Sequence, residues 1–246
     1  MVAGKQVLMV HGAWHGSWCW TRWVELLSEA GHRPTTVDLP GHADPGSPER
    51  IWNRLGEYID AVADELRFLG PDTVVIGHSM GGLVVQRALE RVEASLGILL
   101  ASVPRSGVVG ATIRTARRTP GAFLKVNAKL SMHELVSTDA LARDAFFGDD
   151  VPGELVADAA SHLQNESYLA YLQMFAVRPR PRKIRTPMRV IAAERDAIFS
   201  VGEQRDLARA HGTDLVIIEG AGHDLMLGPW SDRVAGTVIG MIDTAG

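Results

Sequence analysis

Gly77-His78-Ser79-Met80-Gly81 follows the apolar run Thr73-Val74-Val75-Ile76 and precedes Leu83 to Leu89, which has helical spacing. A G-x-S-x-G stretch between a strand and a helix takes the chain through a very tight turn. Side chains two residues to either side of the serine would collide there. Gly77 and Gly81 remove those collisions, and the strained serine presents its hydroxyl at the strand tip. A hydroxyl becomes a useful nucleophile once a neighbouring base takes its proton. Two later strand ends carry suitable partners, a carboxylate in Ala193-Glu194-Arg195-Asp196 and an imidazole in Gly220-Ala221-Gly222-His223. Hydroxyl, carboxylate and imidazole thus arrive in the chain order Ser79, Asp196, His223. Glu194 is the rival acid, but it lies within or at the end of its strand, whereas Asp196 has reached the loop. The Met80 amide, at the start of the helix after Ser79, supplies a donor for a developing oxyanion. Such a set is suited to acyl transfer: attack on a carbonyl, a covalent acyl-enzyme, then hydrolysis by water.

Those groups need strands to hold them. Val7 to Val10 is a continuous apolar run ending in His11-Gly12, the pattern of a strand buried on both faces. Further strands are expected before Pro40, Gly77, Ser102, Glu194 and Glu219. Helices are expected at about 18–30, 51–69, 83–93, 202–210 and 231–242. Alternating strands and helices demand parallel pairing through right-handed crossovers. The expected fold class is therefore α/β, an open, mostly parallel sheet of about six strands with helices on both faces. Chemistry in such sheets lies beyond the carboxyl ends of the strands. Residues 103–185 break the rhythm, with helical pieces at 109–118, 138–146, 154–160 and 168–177 and no strand. The expected organisation is one catalytic domain, with residues 1–102 and 186–246 forming the core and residues 103–185 an inserted helical lid.

Composition narrows the function classes. A net charge of −4 gives no electrostatic reason to expect nucleic acid or an anionic membrane surface. The basic stretch from Arg178 to Arg185 is interleaved with proline and reads as a solvated linker. Cys19 is the only cysteine, which excludes an intrachain disulfide and a cysteine-rich metal site. No H-E-x-x-H, ligand-spaced carboxylate cluster or G-x-G-x-x-G is present, so neither a metal nor another cofactor is expected. No apolar run is long enough to span a bilayer, and no signal-type stretch opens the chain. The expectation is a cytoplasmic protein whose partner is a small-molecule substrate.

With Ser79, Asp196 and His223 in that order, the chain resembles the α/β-hydrolase superfamily over nearly all of its length outside the lid. The segments His11 to Trp20 and Asp38-Leu-Pro-Gly-His42 are similar to those of small plant-type esterases and hydroxynitrile lyases. The core is expected to lack the two leading strands of larger members. The resemblance implies that Ser79 is the nucleophile, His223 the general base and Asp196 the group that orients the imidazole. It also implies the Ala13 amide as the second oxyanion donor beside Met80. Hydroxynitrile lyases resembling this chain carry threonine at the position of Gly12 and lysine after the catalytic histidine. Gly12 and Asp224 stand there instead, without the positive charge that stabilises cyanide. Asp224 is read as pointing outward without a role. His78 is read as packing the turn, His15 as bracing a loop and His42 as structural. Trp14, Phe146, Tyr171 and Phe175 are the candidate aromatic pocket. The implied function is a serine carboxylesterase for small to medium uncharged esters. Perhydrolase activity, hydroxynitrile-lyase-like activity and a ligand receptor on a hydrolase scaffold are the alternatives.

Overall fold

The computed structural model describes residues 4–42 and 52–245. Six parallel strands form one open sheet: β1 Gln6–Val10, β2 Arg33–Val37, β3 Val74–His78, β4 Leu96–Leu100, β5 Met188–Ala193 and β6 Leu215–Ile218, in the order β2-β1-β3-β4-β5-β6. The expected fold class is observed. In register, Val10 lies beside Gly77, Gly77 beside Leu99, and Ala193 beside Ile218, so the strand tips share one edge of the sheet.

Alternation along each strand explains the continuous apolar runs. Val7 and Met9 point into one core with Trp20, Trp23 and Leu27 of the first helical segment, and with Val234, Val238 and Ile242 of the last. Leu8 and Val10 point into the opposite core with Tyr58, Val62, Leu83, Val84 and Leu207. Helices therefore cover both faces: α1 (Thr21–Glu29), α2 (Leu55–Leu69) and α3 (Met80–Leu89) lie along the first half of the chain. A short 3-10 turn, Ser17–Trp20, leads into α1, so the expected helix at 18–30 is two pieces. Gly31 and Gly70 follow α1 and α2 with φ of +85° and +92°, conformations that end a helix cheaply only at glycine. The expected start of α2 at Ile51 lies outside the described residues.

Between β4 and β5 the chain is helical: α4 Val109–Arg118, α5 Pro120–Lys129, α6 Asp139–Ala142, α7 Gly153–His162 and α8 Tyr168–Gln173. α6 runs into a wider π-type turn, Arg143–Phe147, which places Phe146 and Phe147 in the core. The insertion contributes to both cores, through Val156 and Ala159 on one side and Ala111 and Ala170 on the other. Helix α5 is an addition to the expected set; Pro120 starts it and Val126 is its only buried residue. The chain closes with α9 (Val201–Ala210), capped by the reciprocal Ser200–Glu203 pair, and α10 (Ser231–Thr244). Among the described residues no helix is long and apolar enough to cross a membrane.

Candidate active site

Strand β3 delivers Ser79 to the turn before α3 with φ +51° and ψ −118°, a region that non-glycine residues adopt only at a cost of about 1–3 kcal/mol. The surrounding backbone holds it there. Ser79 donates its amide to the Leu100 carbonyl at 3.0 Å, and its own carbonyl accepts from the amides of Gly82 and Val103 at 3.0 and 3.1 Å. Both flanking glycines are sterically required. A Cβ on Gly77 would stand 2.7 Å from the Gly81 carbonyl oxygen, and one on Gly81 would press on the Val10 and His11 carbonyls, 2.6 Å from the former. Because those obstacles are backbone, Gly81→Ala is expected to destabilise the fold by about 3 kcal/mol, the upper end of overpacking. Urea unfolding of the purified variant measures it.

His223 follows β6 and bridges the other two groups. Its Nε2 lies 2.9 Å from Ser79 Oγ, and its Nδ1 lies 2.9 Å from both carboxylate oxygens of Asp196. Carboxylates accept, so Nδ1 carries the proton and Nε2 is left to accept from the serine hydroxyl. Asp196 is itself fixed by the amides of Ile198 and Phe199, which donate to its Oδ1 at 2.7 and 2.9 Å. Glu194, the rival, is exposed and instead accepts from the Gly220 amide at 2.8 Å. Burial opposes a positive charge on His223, but the Asp196 carboxylate and its hydrogen bond, with Asp224 nearby, outweigh burial and raise its pKa. Gly222 allows this loop to approach the insertion, since a Cβ there would lie 2.5 Å from the Phe146 carbonyl oxygen.

The Ala13 and Met80 amides have no hydrogen-bond acceptor among the described residues, and both residues line the same cavity as Ser79. Met80 is the first residue of α3, where an amide has no partner inside the helix. His11 sets the neighbouring peptide: its Nε2 accepts from the Leu39 amide at 3.1 Å, so its Nδ1 donates to the Gly12 carbonyl at 2.8 Å. That carbonyl belongs to the same peptide plane as the Ala13 N–H.

The cavity holds about 100 Å³ and runs from Ser79 into the insertion, past Trp14, Val103, Val108, Met132 and Tyr171. Of the aromatic residues expected to line it, Trp14 and Tyr171 do. Phe146 and Phe175 are not among its lining. Phe146 lies behind, against Trp14 and the face of His223 at 5.8 and 6.1 Å between ring centres. Phe175 packs edge-on against Tyr171. Arg118 and Asp144 stand at the cavity as an ion pair, and Arg114 is engaged by Glu203 and the Ile198 carbonyl.

A family model described as "Alpha/beta hydrolase family" matches residues 7–237. The chain belongs to the alpha/beta hydrolase family. The probable esterase PIR7A of Oryza sativa subsp. indica is 37% identical over 110 residues, covering 42% of this chain and 41% of that protein. Methyl jasmonate esterase 1 of Vitis vinifera is 30% identical over 96 residues, 38% of this chain and 37% of its own. The matched part thus spans about two fifths of these curated relatives. Among solved structures, a methylesterase from Arabidopsis superposes with a TM-score of 0.73 at 21% identity, covering 98% of this chain and 99% of that one, which shows the shared fold.

Two buried carboxylates of this family member escaped the sequence reading. Asp224, expected to point outward, is fully buried with its Oδ2 3.0 Å from His15 Nε2. Glu166 is also fully buried and reaches the cavity wall, where it accepts from Tyr58 Oη at 2.8 Å and the Ser167 amide at 2.6 Å and pairs with His42 at 3.1 Å. Burial works against its charge, but His42 and these hydrogen bonds prevail and keep its pKa low. The only signal for either was a histidine far away in sequence. His78, Asp224 and His223 bring ligand-type atoms within 4.8 Å of one another. Both nitrogens of His223 are already engaged, and His78 Nε2 donates to the His223 carbonyl at 3.1 Å, so a metal there would have to displace Ser79 or Asp196 from His223.

Proposed function

We propose that the protein is a serine carboxylesterase acting on small to medium uncharged esters. The observation that carries this reading is the single imidazole of His223 held between Ser79 Oγ and the Asp196 carboxylate, at the floor of a mostly apolar cavity. His223 Nε2 takes the proton as Ser79 Oγ attacks the ester carbonyl, and Asp196 steadies the imidazolium that forms. The Ala13 and Met80 amides receive the negative charge that develops on the carbonyl oxygen. The imidazolium returns its proton to the departing alcohol, leaving an acyl group on Ser79. Water, deprotonated by the same imidazole, then releases the acid. The esterase names among the relatives favour this chemistry. The lining favours uncharged substrates, because Arg118 and Asp144 neutralise one another and the Glu166 oxygens are already engaged.

Hydroxynitrile-lyase-like activity is disfavoured by the geometry as well as by composition. A Cβ at Gly12 would lie 2.8 Å from His78 Nδ1 and 3.0 Å from Ser79 Cβ, which leaves no room for threonine. The residue after His223 is a buried carboxylate, opposite in sign to the lysine of those enzymes.

Turnover of p-nitrophenyl acetate, butyrate and octanoate beside charged analogues tests the reading. Saturable hydrolysis of the neutral esters, with a burst of p-nitrophenol matching the enzyme concentration, is the expected result. Much faster turnover of charged esters would overturn the substrate class, and an absence of turnover in folded protein would overturn the activity. The pH profile gives a second check. The reaction needs His223 unprotonated, and its pKa is raised from the ordinary 6.5. On the acid side, kcat/KM is therefore expected to rise with pH through an apparent pKa above 6.5.

A further inference from the structure

Asp224 is fully buried, sits next to His223 in sequence and takes no part in the mechanism above. Its Oδ2 lies 3.0 Å from His15 Nε2, while its Oδ1 has no hydrogen-bond partner among the described residues and lies 3.7 Å from His78 Nε2. The other nitrogen of His15, Nδ1, is 2.7 Å from the Ala13 carbonyl. Counting protons defines the pair. A carbonyl only accepts, so His15 Nδ1 carries a proton; a second proton must lie between Nε2 and the carboxylate. The couple is thus neutral as a unit, with its carboxylate end toward His223. Trp18 stacks on the His15 ring at 5.3 Å and Phe146 meets it edge-on at 5.3 Å, which excludes water from the contact. Further bonds hold the Asp224 backbone: its amide donates to the Phe146 carbonyl at 3.2 Å, and its carbonyl accepts from Trp230 Nε1 at 3.0 Å and from the amides of Leu227 and Gly228 at 3.2 and 3.3 Å.

The couple joins two loops that acyl transfer must keep in register. One carries Ala13, the expected oxyanion donor, and the other carries His223. A buried ion pair is a poor source of net stability, since apolar residues of equal volume often do as well. Its cost is easier to understand if it fixes geometry and charge at the reacting groups. We propose that the buried Asp224–His15 couple is a positioning device for His223, tying its loop to the Ala13 loop and placing a second carboxylate behind the imidazole. This inference rests on the esterase reading for its catalytic meaning, but not for its test.

The groups facing His223 are Asp196 and Ser79 at its nitrogens, His78 with its ring centre 4.9 Å away, and Asp224 next in the chain. Burial, reinforced by His223, lowers the His78 pKa to about 3, so it stays neutral across the working range. Asp196 therefore supplies the net charge that favours protonated His223, the Asp224 carboxylate adds to it as the nearer, negative end of the couple, and removing Asp224 should make His223 easier to deprotonate.

Asp224→Asn, His15→Gln and the double variant test the couple. Asparagine keeps the volume and can donate to His15 Nε2, so the contact survives while the carboxylate is lost. Two readouts are taken: the pH profile for p-nitrophenyl butyrate, and an NMR titration of the His223 ring in a Ser79→Ala background, which needs no turnover. The expected result for Asp224→Asn is a native circular dichroism spectrum, kcat lower by about tenfold and KM changed by less than about twofold. The His223 titration and the acid limb should both move to lower pH. The double variant should be no worse than the more impaired single, because both substitutions break one couple. If Asp224→Asn does not fold, His15→Gln decides through kcat, expected to fall by about tenfold with the carboxylate retained. An unmoved His223 titration in folded Asp224→Asn, or wild-type kcat in His15→Gln, overturns the proposal. A protein inactive on every ester removes the esterase reading alone, and the titration still decides the place of Asp224.

Discussion

Ser79→Ala is expected to lower kcat/KM for p-nitrophenyl butyrate by about four to six orders of magnitude while leaving the fold intact. Alanine keeps the Cβ, so the turn at φ +51° is neither relieved nor further strained, and among the described residues the buried hydroxyl it removes bonds only to His223 Nε2. The thermal midpoint should therefore stay within a few degrees of wild type. Residual rate above the uncatalysed reaction should come from substrate binding and the Ala13 and Met80 amides, which the substitution does not touch. Among the described residues, no other hydroxyl lining the cavity is hydrogen-bonded to a histidine or a carboxylate. Thr112 and Tyr171 share a hydrogen bond with one another, and Thr119 donates to the Thr115 carbonyl. Equal activity in the two proteins would mean that the nucleophile lies elsewhere; loss confined to KM would mean that Ser79 only binds substrate.

The parts of this site that were readable in the sequence are those governed by local rules. A parallel strand covered on both faces reads as an apolar run, which placed the ends of β1, β3, β4 and β5, whereas β2, Arg33-Pro-Thr-Thr-Val37 at the sheet edge, carries no such run. Gly77, Ser79 and Gly81 form a local steric problem with a local solution, and the structure shows the backbone contacts that pose it. β5 stops at Ala193, so Glu194 and Asp196 both lie beyond the sheet; Asp196, two residues further on, meets His223, while Glu194 accepts from the Gly220 amide. What stayed hidden depends on partners remote in sequence. Asp224 pairs with a histidine 209 positions earlier, and Glu166 with one 124 positions earlier. A carboxylate read alone looks solvent-facing, because nothing local offers to offset its desolvation. Aromatic residues pose the same difficulty: Phe146 and Tyr171 look alike in sequence, yet one backs His223 and the other lines the cavity. Helix α5 was missed for a third reason. Only Val126 is buried along it, so it carries no apolar stripe to read.

Asp196→Asn is expected to reduce kcat by about four orders of magnitude with little change in KM. Both carboxylate oxygens lie 2.9 Å from His223 Nδ1, so the wild-type side chain accepts the Nδ1 proton with either oxygen and leaves Nε2 free to act as base. The amides of Ile198 and Phe199 donate to Oδ1, which requires the carbonyl oxygen of asparagine to occupy that place. The asparagine NH₂ then turns toward His223 and donates to Nδ1. The proton moves to Nε2, which can no longer accept from Ser79. The same substitution removes the charge that offsets burial of the imidazolium, so the His223 pKa should fall. The two effects separate in a pH series: the tautomer defect lowers the plateau, and the lost charge moves the acid limb to lower pH. Glu194→Gln provides the contrast, since the glutamine oxygen can still accept from the Gly220 amide on an exposed side chain. Its kcat should remain within about twofold of wild type. If the Glu194 variant showed the deep loss and the Asp196 variant did not, the carboxylate that orients His223 would have to be reassigned.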